Sequence, residues 1–364
     1  MRPRSLALMG KELVRWYRQH RRDLPWRAGR DPYRILVSEF MLQQTRVATV
    51  LPYFERFVAR FPTVQDLASA SLDEVLQVWA GLGYYRRARY LHEAARVIVQ
   101  DYSGEIPGEP ESLARLPGVG SYTAAAVASI AFGRATPVLD GNCVRVLCRL
   151  FRIRARPSST RARRRLQNLA RHLMGDEEPG DFNQALMELG ATICLSRNPR
   201  CEACPLISWC QGHKSGRAEA FPARKERPAV PVEDQVAGVI WKEQELLIVQ
   251  RDERSLLGGL WEFPGGPRRG NQSFEESLLR EIQAAVGLEV VIRGPLLFLT
   301  ARYSHLQVRL YVYHCLYTSG NASPRRYQRV AWVRPQDLPN YPMSATTRRI
   351  ASHLLARAFD LDTR

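Results

Sequence analysis

The 364-residue chain contains no uncharged apolar window of about 18 residues, the length a helix needs to cross a bilayer, so no membrane span is expected. Its amino terminus lacks the apolar stretch of a secretory signal, and the expected compartment is the cytoplasm, beside the nucleoid. Lysine is scarce, only four of the 53 basic residues. Positive charge is therefore carried by arginine, whose planar fork suits phosphate oxygens. Acidic residues are also short, 36 against 53, and the formal charge of +17 is unevenly spread. Residues 230–364 hold 17 basic and 14 acidic side chains, leaving 36 and 22 for residues 1–229. The first part is thus the strongly basic one, and a nucleic-acid backbone is its natural partner. Cysteine is sparse too, yet four of the seven fall within seventeen residues. The length exceeds one ordinary core, while 45% hydrophobic and 9% aromatic content is that of a globular protein. Two domains are expected.

The run Leu116–Asp140 reads as two short helices joined by a glycine hairpin, then a bend ending on a carboxylate. Pro117, Gly118, Val119 and Gly120 allow a sharp turn whose N–H groups face an anion. The Ala-rich run Tyr122–Phe132 predicts a closely packed helix with its positive end at that hairpin. An amphipathic helix is expected over 6–20, and Asp31-Pro32 predicts an N-cap and first helical residue for the run RILVSEFMLQQT. Glu39 lies inside this apolar run. A carboxylate there either faces solvent or is buried with a raised pKa, which is how a general acid is made. Further helices are expected at 47–59, 72–79, 87–101, 111–116, 142–151 and 182–193, with Gly81–Tyr85 as a turn carrying paired aromatics. The arginines between Arg152 and Arg171 make a solvated basic helix or an added phosphate surface.

Cys194, Cys201, Cys204 and Cys210 are spaced as ligands of one metal centre rather than as disulfides. Four thiolates admit zinc or an iron–sulfur cluster, and spacing does not choose between them. Cys143, Cys148 and Cys315 are isolated and read as buried small hydrophobes. Residues 212–231 form a charged, proline-bearing linker. Beyond it, strands VAGVIW and LLIVQR, strands near 290–300, 307–317 and 328–333, and helices at 274–286 and 344–359 predict a mixed α/β domain.

The runs LPWR (24–27), SEFMLQQT (38–45), PYFERF (52–57), GLGYYRRAR (81–89), LPGVGSYTA (116–124), LDGN (139–142) and FNQALMELG (182–190), in this order, resemble the helix-hairpin-helix DNA glycosylases. The likeness is strongest to those that remove adenine mispaired with 8-oxoguanine. It implies an all-α catalytic domain over 1–211, including the cysteine loop 194–210, then the linker 212–231 and a degenerate Nudix-like α/β domain over 232–364. It implies Glu39 as the catalytic acid and Asp140 as the second carboxylate, with Tyr122 orienting and Asn142 supporting them. Tyr122 stands where bifunctional relatives carry a Schiff-base lysine, so robust strand cleavage is not expected. Arg27, Gln43, Gln44, Tyr84 and the hairpin Pro117–Gly120 are implied DNA contacts, and the four cysteines an implied [4Fe–4S] site.

In the second domain Gly266, Arg280, Glu281, Gly287 and Leu288 fit the Nudix pattern. Gln272, Ala284 and Ala285 replace its metal-holding glutamates, so magnesium-dependent hydrolysis is not expected. Tyr303-Ser304-His305 stands where the family's 8-oxoguanine-contacting loop reads Phe-Ser-His. The expectation is a monomeric, monofunctional glycosylase of base excision repair, acting on duplex DNA with adenine opposite 8-oxoguanine or guanine.

Overall fold

Residues 3–154, 159–223, 230–253, 255, 257–303 and 305–361 are described by a computed structural model of the chain. In chain order the first helices are α1 (Pro3–His20), α2 (Pro32–Leu42), α3 (Val47–Arg60), α4 (Val64–Ser69), α5 (Leu72–Trp79) and α6 (Arg86–Asp101). They are followed by α7 (Pro110–Leu113), α8 (Ser121–Phe132), α9 (Gly141–Leu150), α10 (Thr160–Met174), α11 (Pro179–Thr192) and α12 (Gln211–Lys214). The remaining elements are β1 (Val232–Lys242), β2 (Glu245–Gln250), β3 (Trp261–Glu262), β4 (Gly265–Pro267), α13 (Phe274–Val286), β5 (Glu289–Arg302), β6 (Gln307–Ser319), β7 (Arg329–Val333) and α14 (Ala345–Leu361). The chain divides into two units, Met1–Ser69 with Glu93–Arg227 and Ala70–His92 with Pro228–Arg364. No helix among the described residues is long and apolar enough to cross a membrane.

Local chemistry explains several helix starts. The Asp31 carboxylate accepts from the N–H groups of Tyr33 and Arg34, and Pro32 opens α2 where its missing N–H costs nothing. Ser71 with Glu74, and Ser273 with Glu276, form reciprocal capping boxes for α5 and α13. Both helices fall where the sequence places them. The basic stretch becomes α10, whose Ala162, Leu166, Ala170 and Leu173 are buried while Arg161, Arg163, Arg164, Arg165 and Arg171 face solvent. Arg156 lies outside the described residues. Helix α4 and the two short strands β3 and β4 are not anticipated, because each is too brief to show a hydrophobic period.

The core of the first unit is built from α1, α9, α10 and α11, through residues such as Leu13, Tyr17, Leu147, Leu166 and Leu186. Phe221, in the stretch read as a linker, is buried in this core. Helix α8 is apolar and buried nearly all round, and both α2 and α11 pack against it. Its small side chains permit that close approach.

In the second unit the sheet runs β3-β2-β1-β6-β5, with β4 also paired to β1 and β7 to β2. Strands β1 and β6 are parallel from Val232↔Gln307 to Trp241↔Leu316. Side chains alternate between the faces. Leu246 and Ile248 pack with Ile350 and Leu354 of α14, while Leu247 and Val249 pack with Leu278 and Ile282 of α13. This two-faced packing is the α/β architecture expected for the second half of the chain.

Candidate active site

A cleft of about 560 Å³ in the first unit is bordered by Glu39, Tyr122, Asp140 and Asn142, which arrive from α2, α8 and the start of α9. Glu39 is 5% exposed, and its Oε2 has no hydrogen-bond partner among the described residues. Burial pushes its pKa from 4.5 up to about 7, the negative charge of Asp140 adds to the rise, and the Tyr122 hydroxyl and the Arg27 charge oppose it. Of the two readings open for Glu39 in sequence, the buried one is correct.

Asp140 is the N-cap of α9, a role the sequence reading did not anticipate. Its Oδ1 accepts from the Cys143 N–H at 2.6 Å and its Oδ2 from Asn142 Nδ2 at 2.9 Å. Negative charge is stabilised at such a helix start. Arg145 Nη2 donates to Asn142 Oδ1 at 2.8 Å and to the Gly190 carbonyl at 2.7 Å, which ties α9 to α11. Tyr122 is pushed well above its ordinary pKa by burial and by the charges of Glu39 and Asp140, so its hydroxyl keeps its proton. That hydroxyl donates to Met187 Sδ at 3.4 Å.

The cleft also contains an ion cluster that sequence reasoning missed. Glu188, 1% exposed, accepts from Arg22 Nε at 2.6 Å and from Arg27 Nη2 at 2.9 Å. Burial alone would raise its pKa, but the hydrogen bonds and charges of Arg22 and Arg27 outweigh that and lower it. Arg27 is consequently part of the cleft wall. The available signal was a second carboxylate inside an apolar helical run, FNQALMELG, like Glu39 in SEFMLQQT.

The hairpin turns at Gly118, whose φ of +72° lies in the left-handed region. Gly120 caps α8 without a side chain, so first-turn N–H groups of α8 are left for another acceptor. Gln43 is the C-cap of α2 and its Nε2 donates to Thr123 Oγ1 at 3.3 Å, while Gln44 is exposed with φ of +60°. Neither borders the cleft.

Other anticipated residues belong to the second unit. Tyr84 is 44% exposed, with the Arg87 guanidinium 5.2 Å from its ring centre. Tyr303 borders a separate cavity of about 290 Å³ with Arg251, Glu262 and Tyr327, and His305 is exposed. Ser304 lies outside the described residues. At the Nudix positions, Arg280 donates to the Gln272 side-chain oxygen, and buried Glu281 is ion-paired with Arg280 at 3.1 Å and Arg326 at 2.7 Å.

Cys194, Cys201, Cys204 and Cys210 border one small cavity of about 30 Å³. Among the described residues no three His, Cys, Asp or Glu side chains are grouped tightly enough to hold a single metal ion. Buried Arg149 donates to Cys194 Sγ at 3.4 Å and to the Ser196 carbonyl at 3.0 Å, which places a fixed positive charge beside the thiols. Cys143, Cys148 and Cys315 are buried, as expected.

Residues 37–172 match the HhH-GPD superfamily base excision DNA repair proteins, and residues 236–353 match the NUDIX domain. The chain is 37% identical to the adenine DNA glycosylase of Mus musculus over 93% of its length, covering 76% of that protein. It is 44% identical to the adenine DNA glycosylase of Mycobacterium tuberculosis over 62% of its length, covering 75% of that relative. A solved thermostable thymine-DNA glycosylase superposes with a TM-score of 0.54 at 32% identity, over 58% of this chain and 98% of its own. A trapped endonuclease III–DNA covalent intermediate shares the fold, with a TM-score of 0.51 at 24% identity over 59% of this chain and 99% of its own.

Proposed function

We propose that the chain, which belongs to the adenine DNA glycosylases, hydrolyses the N-glycosidic bond of adenine mispaired with 8-oxoguanine or guanine in duplex DNA. The observation that carries the chemistry is the pairing of a buried Glu39, neutral up to about pH 7, with Asp140 on one cleft. An adenine must leave the helix stack to enter that cleft. Adenine is a poor leaving group until protonated, and neutral Glu39 donates that proton to the ring. As the C–N bond lengthens, the sugar becomes oxocarbenium-like, and the Asp140 carboxylate supplies the facing negative charge. Water then adds to the sugar, with its proton passing to a carboxylate. Asn142 orients Asp140, and Tyr122 keeps a neutral hydroxyl under the influence of both acids. Tyr122 offers no amine, so the enzyme is a base remover without a Schiff-base step.

The hairpin 117–120 and the arginine-rich surface hold the backbone, Gln43, Gln44 and Tyr84 brace the gap, and Tyr303 to His305 meet the oxidised base. Arg27 acts from the cleft wall, through Glu188. Cys194, Cys201, Cys204 and Cys210 border one cavity beside the Arg149 guanidinium, and a set of four thiols suits an iron–sulfur cluster. The four cysteines would hold a [4Fe–4S] cluster, which would supply a structural cross-link to the loop. Purified protein is expected to contain about four iron per chain. Zinc without iron in anaerobic preparations would reject the cluster. In the second unit, the pairing of Glu281 with Arg280 and Arg326 and the non-acidic Gln272, Ala284 and Ala285 at the Nudix positions argue against magnesium chemistry there.

The deciding experiment is single-turnover base release from duplexes carrying A opposite 8-oxoguanine, G, C or T. Release is expected for the first two pairs and to be fastest for 8-oxoguanine. Comparable release opposite T would refute the assignment.

A further inference from the structure

Residues Ala70–His92 interrupt the first unit in sequence and belong to the second. They carry α5, the Gly81–Tyr85 turn and the start of α6. Gly81, Gly83 and Tyr84 have φ of +104°, +78° and +51°. For a tyrosine this conformation persists only where its surroundings enforce it. Here Trp79 Nε1 and Arg87 Nη2 each donate to the Gly83 carbonyl at 3.1 Å. The Tyr85 hydroxyl accepts from the Gly81 N–H at 3.0 Å and donates to the Met343 carbonyl at 3.4 Å. One oxygen thus joins the turn to the segment entering α14. Ahead of the turn, Asp73 accepts from Gln250 Nε2 at 3.2 Å and lies 3.7 Å from Arg329. After it, Arg89 donates to the Glu253 carbonyl.

Gln250 and Met343, which take part in two of these contacts, lie on one hydrogen-bonded strip through Trp261. Gln250 pairs with Trp261 between β2 and β3, Trp261 bridges to Met343, and the Trp261 N–H donates to the Pro342 carbonyl at 2.8 Å. The next residue along each segment, Arg251, Glu262 and Ser344, borders the cavity that Tyr303 also borders. Successive side chains of extended backbone point to opposite faces. Within that cavity Arg251 and Glu262 are ion-paired at 2.7 Å. The strip therefore carries the Tyr84 turn on one side and the Tyr303 cavity on the other.

We propose that Tyr85 and Asp73 are positioning residues that clamp the Tyr84 turn to this strip, so that engagement of the Tyr303 loop by the oxidised base sets how Tyr84 enters the duplex. This rests on the reading of residues 303–305 as the 8-oxoguanine contact. In the full-length protein, Tyr85→Phe removes only the bridging oxygen, and Asp73→Asn removes the charge facing Arg329. Single-turnover adenine release on 8-oxoguanine:A and G:A duplexes supplies the readout. With Tyr85→Phe the ratio of the two rates is expected to fall about fivefold, the factor carried by one neutral hydrogen bond, and with Asp73→Asn to fall in the same direction, with the G:A rate unchanged and the melting temperature lowered by no more than about a few degrees. Tyr303→Ala combined with Tyr85→Phe is expected to lower the ratio no further than Tyr303→Ala alone, since both act through one strip. A ratio unchanged in both variants, an equal loss on both duplexes, or additive effects in the double variant overturns the coupling. A parent protein without preference for 8-oxoguanine:A overturns instead the reading on which the coupling rests.

Discussion

Glu39 is placed where a carboxyl resists ionisation, and this has consequences for both rate and stability. Its pKa of about 7 exceeds the ordinary 4.5, so between these values the folded protein binds a proton that the unfolded chain has lost. Stability linked to this proton is full below 4.5 and is lost as the pH rises through about 7. Glu39→Gln removes the ionisation. At pH 8 it is expected to stabilise the fold by about 1–3 kcal/mol, and near pH 4 by little, as thermal melts at the two pH values will read. The same substitution is expected to lower single-turnover adenine release by at least about 100-fold while leaving duplex affinity largely intact. Release within a few-fold of the parent rate would remove Glu39 from the acid's role. In the parent the chemical step is expected to slow as the pH rises through about 7, because the donor is then ionised. A rate flat from pH 6 to 9 would contradict this.

Between elements, the decisive contact is the approach of α11 to the first turn of α9. A Cβ built on Gly190 would meet Asn142 Cβ at 2.6 Å, inside any tolerable contact. Glycine at 190 lets the helices close, and Arg145 then bonds both Asn142 and the Gly190 carbonyl. Gly190→Ala is expected to displace Asn142 from Asp140 and to slow base release about 100-fold, the scale of a 1 Å misplacement, with duplex binding preserved. Unchanged single-turnover release would show that Asp140 does not depend on this packing. Glu188 works at the same scale, since it joins α11 to the Arg22–Arg27 segment through two guanidinium groups. Its depressed pKa means that this link is present above the ordinary carboxylate value and is lost on acidification through the lower folded one.

For the molecule as a whole, the charge excess lies in residues 1–229, while the Nudix-type unit is close to neutral. Affinity for undamaged duplex is accordingly assigned to the arginine-rich part and should fall steeply with salt. Truncation after about residue 225 is expected to reduce the preference for 8-oxoguanine:A over G:A more than it reduces adenine release itself. Equal losses on both duplexes would make the second unit a clamp and not a reader. The truncation also strips the Gln250–Trp261–Met343 strip from residues 70–92, so its effect should exceed that of Tyr303→Ala alone.

What the sequence determined by itself was whatever short-range pattern encodes. Asp31-Pro32 and the two capping boxes mark helix starts, a short continuous apolar run marks β2, and the glycine hairpin with its small-residue helix marks α8. The four cysteines were legible as residue types at close spacing, while the pairing of Glu39 with Asp140 and the missing Nudix glutamates followed from the resemblance to the glycosylase family. Only the tertiary structure decided which of Glu39's two possible environments is real, because burial depends on α8 and α9 closing over α2 from distant parts of the chain. It also made Asp140 a helix cap, brought Glu188 to two arginines more than a hundred residues earlier in the chain, and assigned residues 70–92 to the second unit. Such pairings leave no local period, since they arise from where helices cross and which glycine lets them approach.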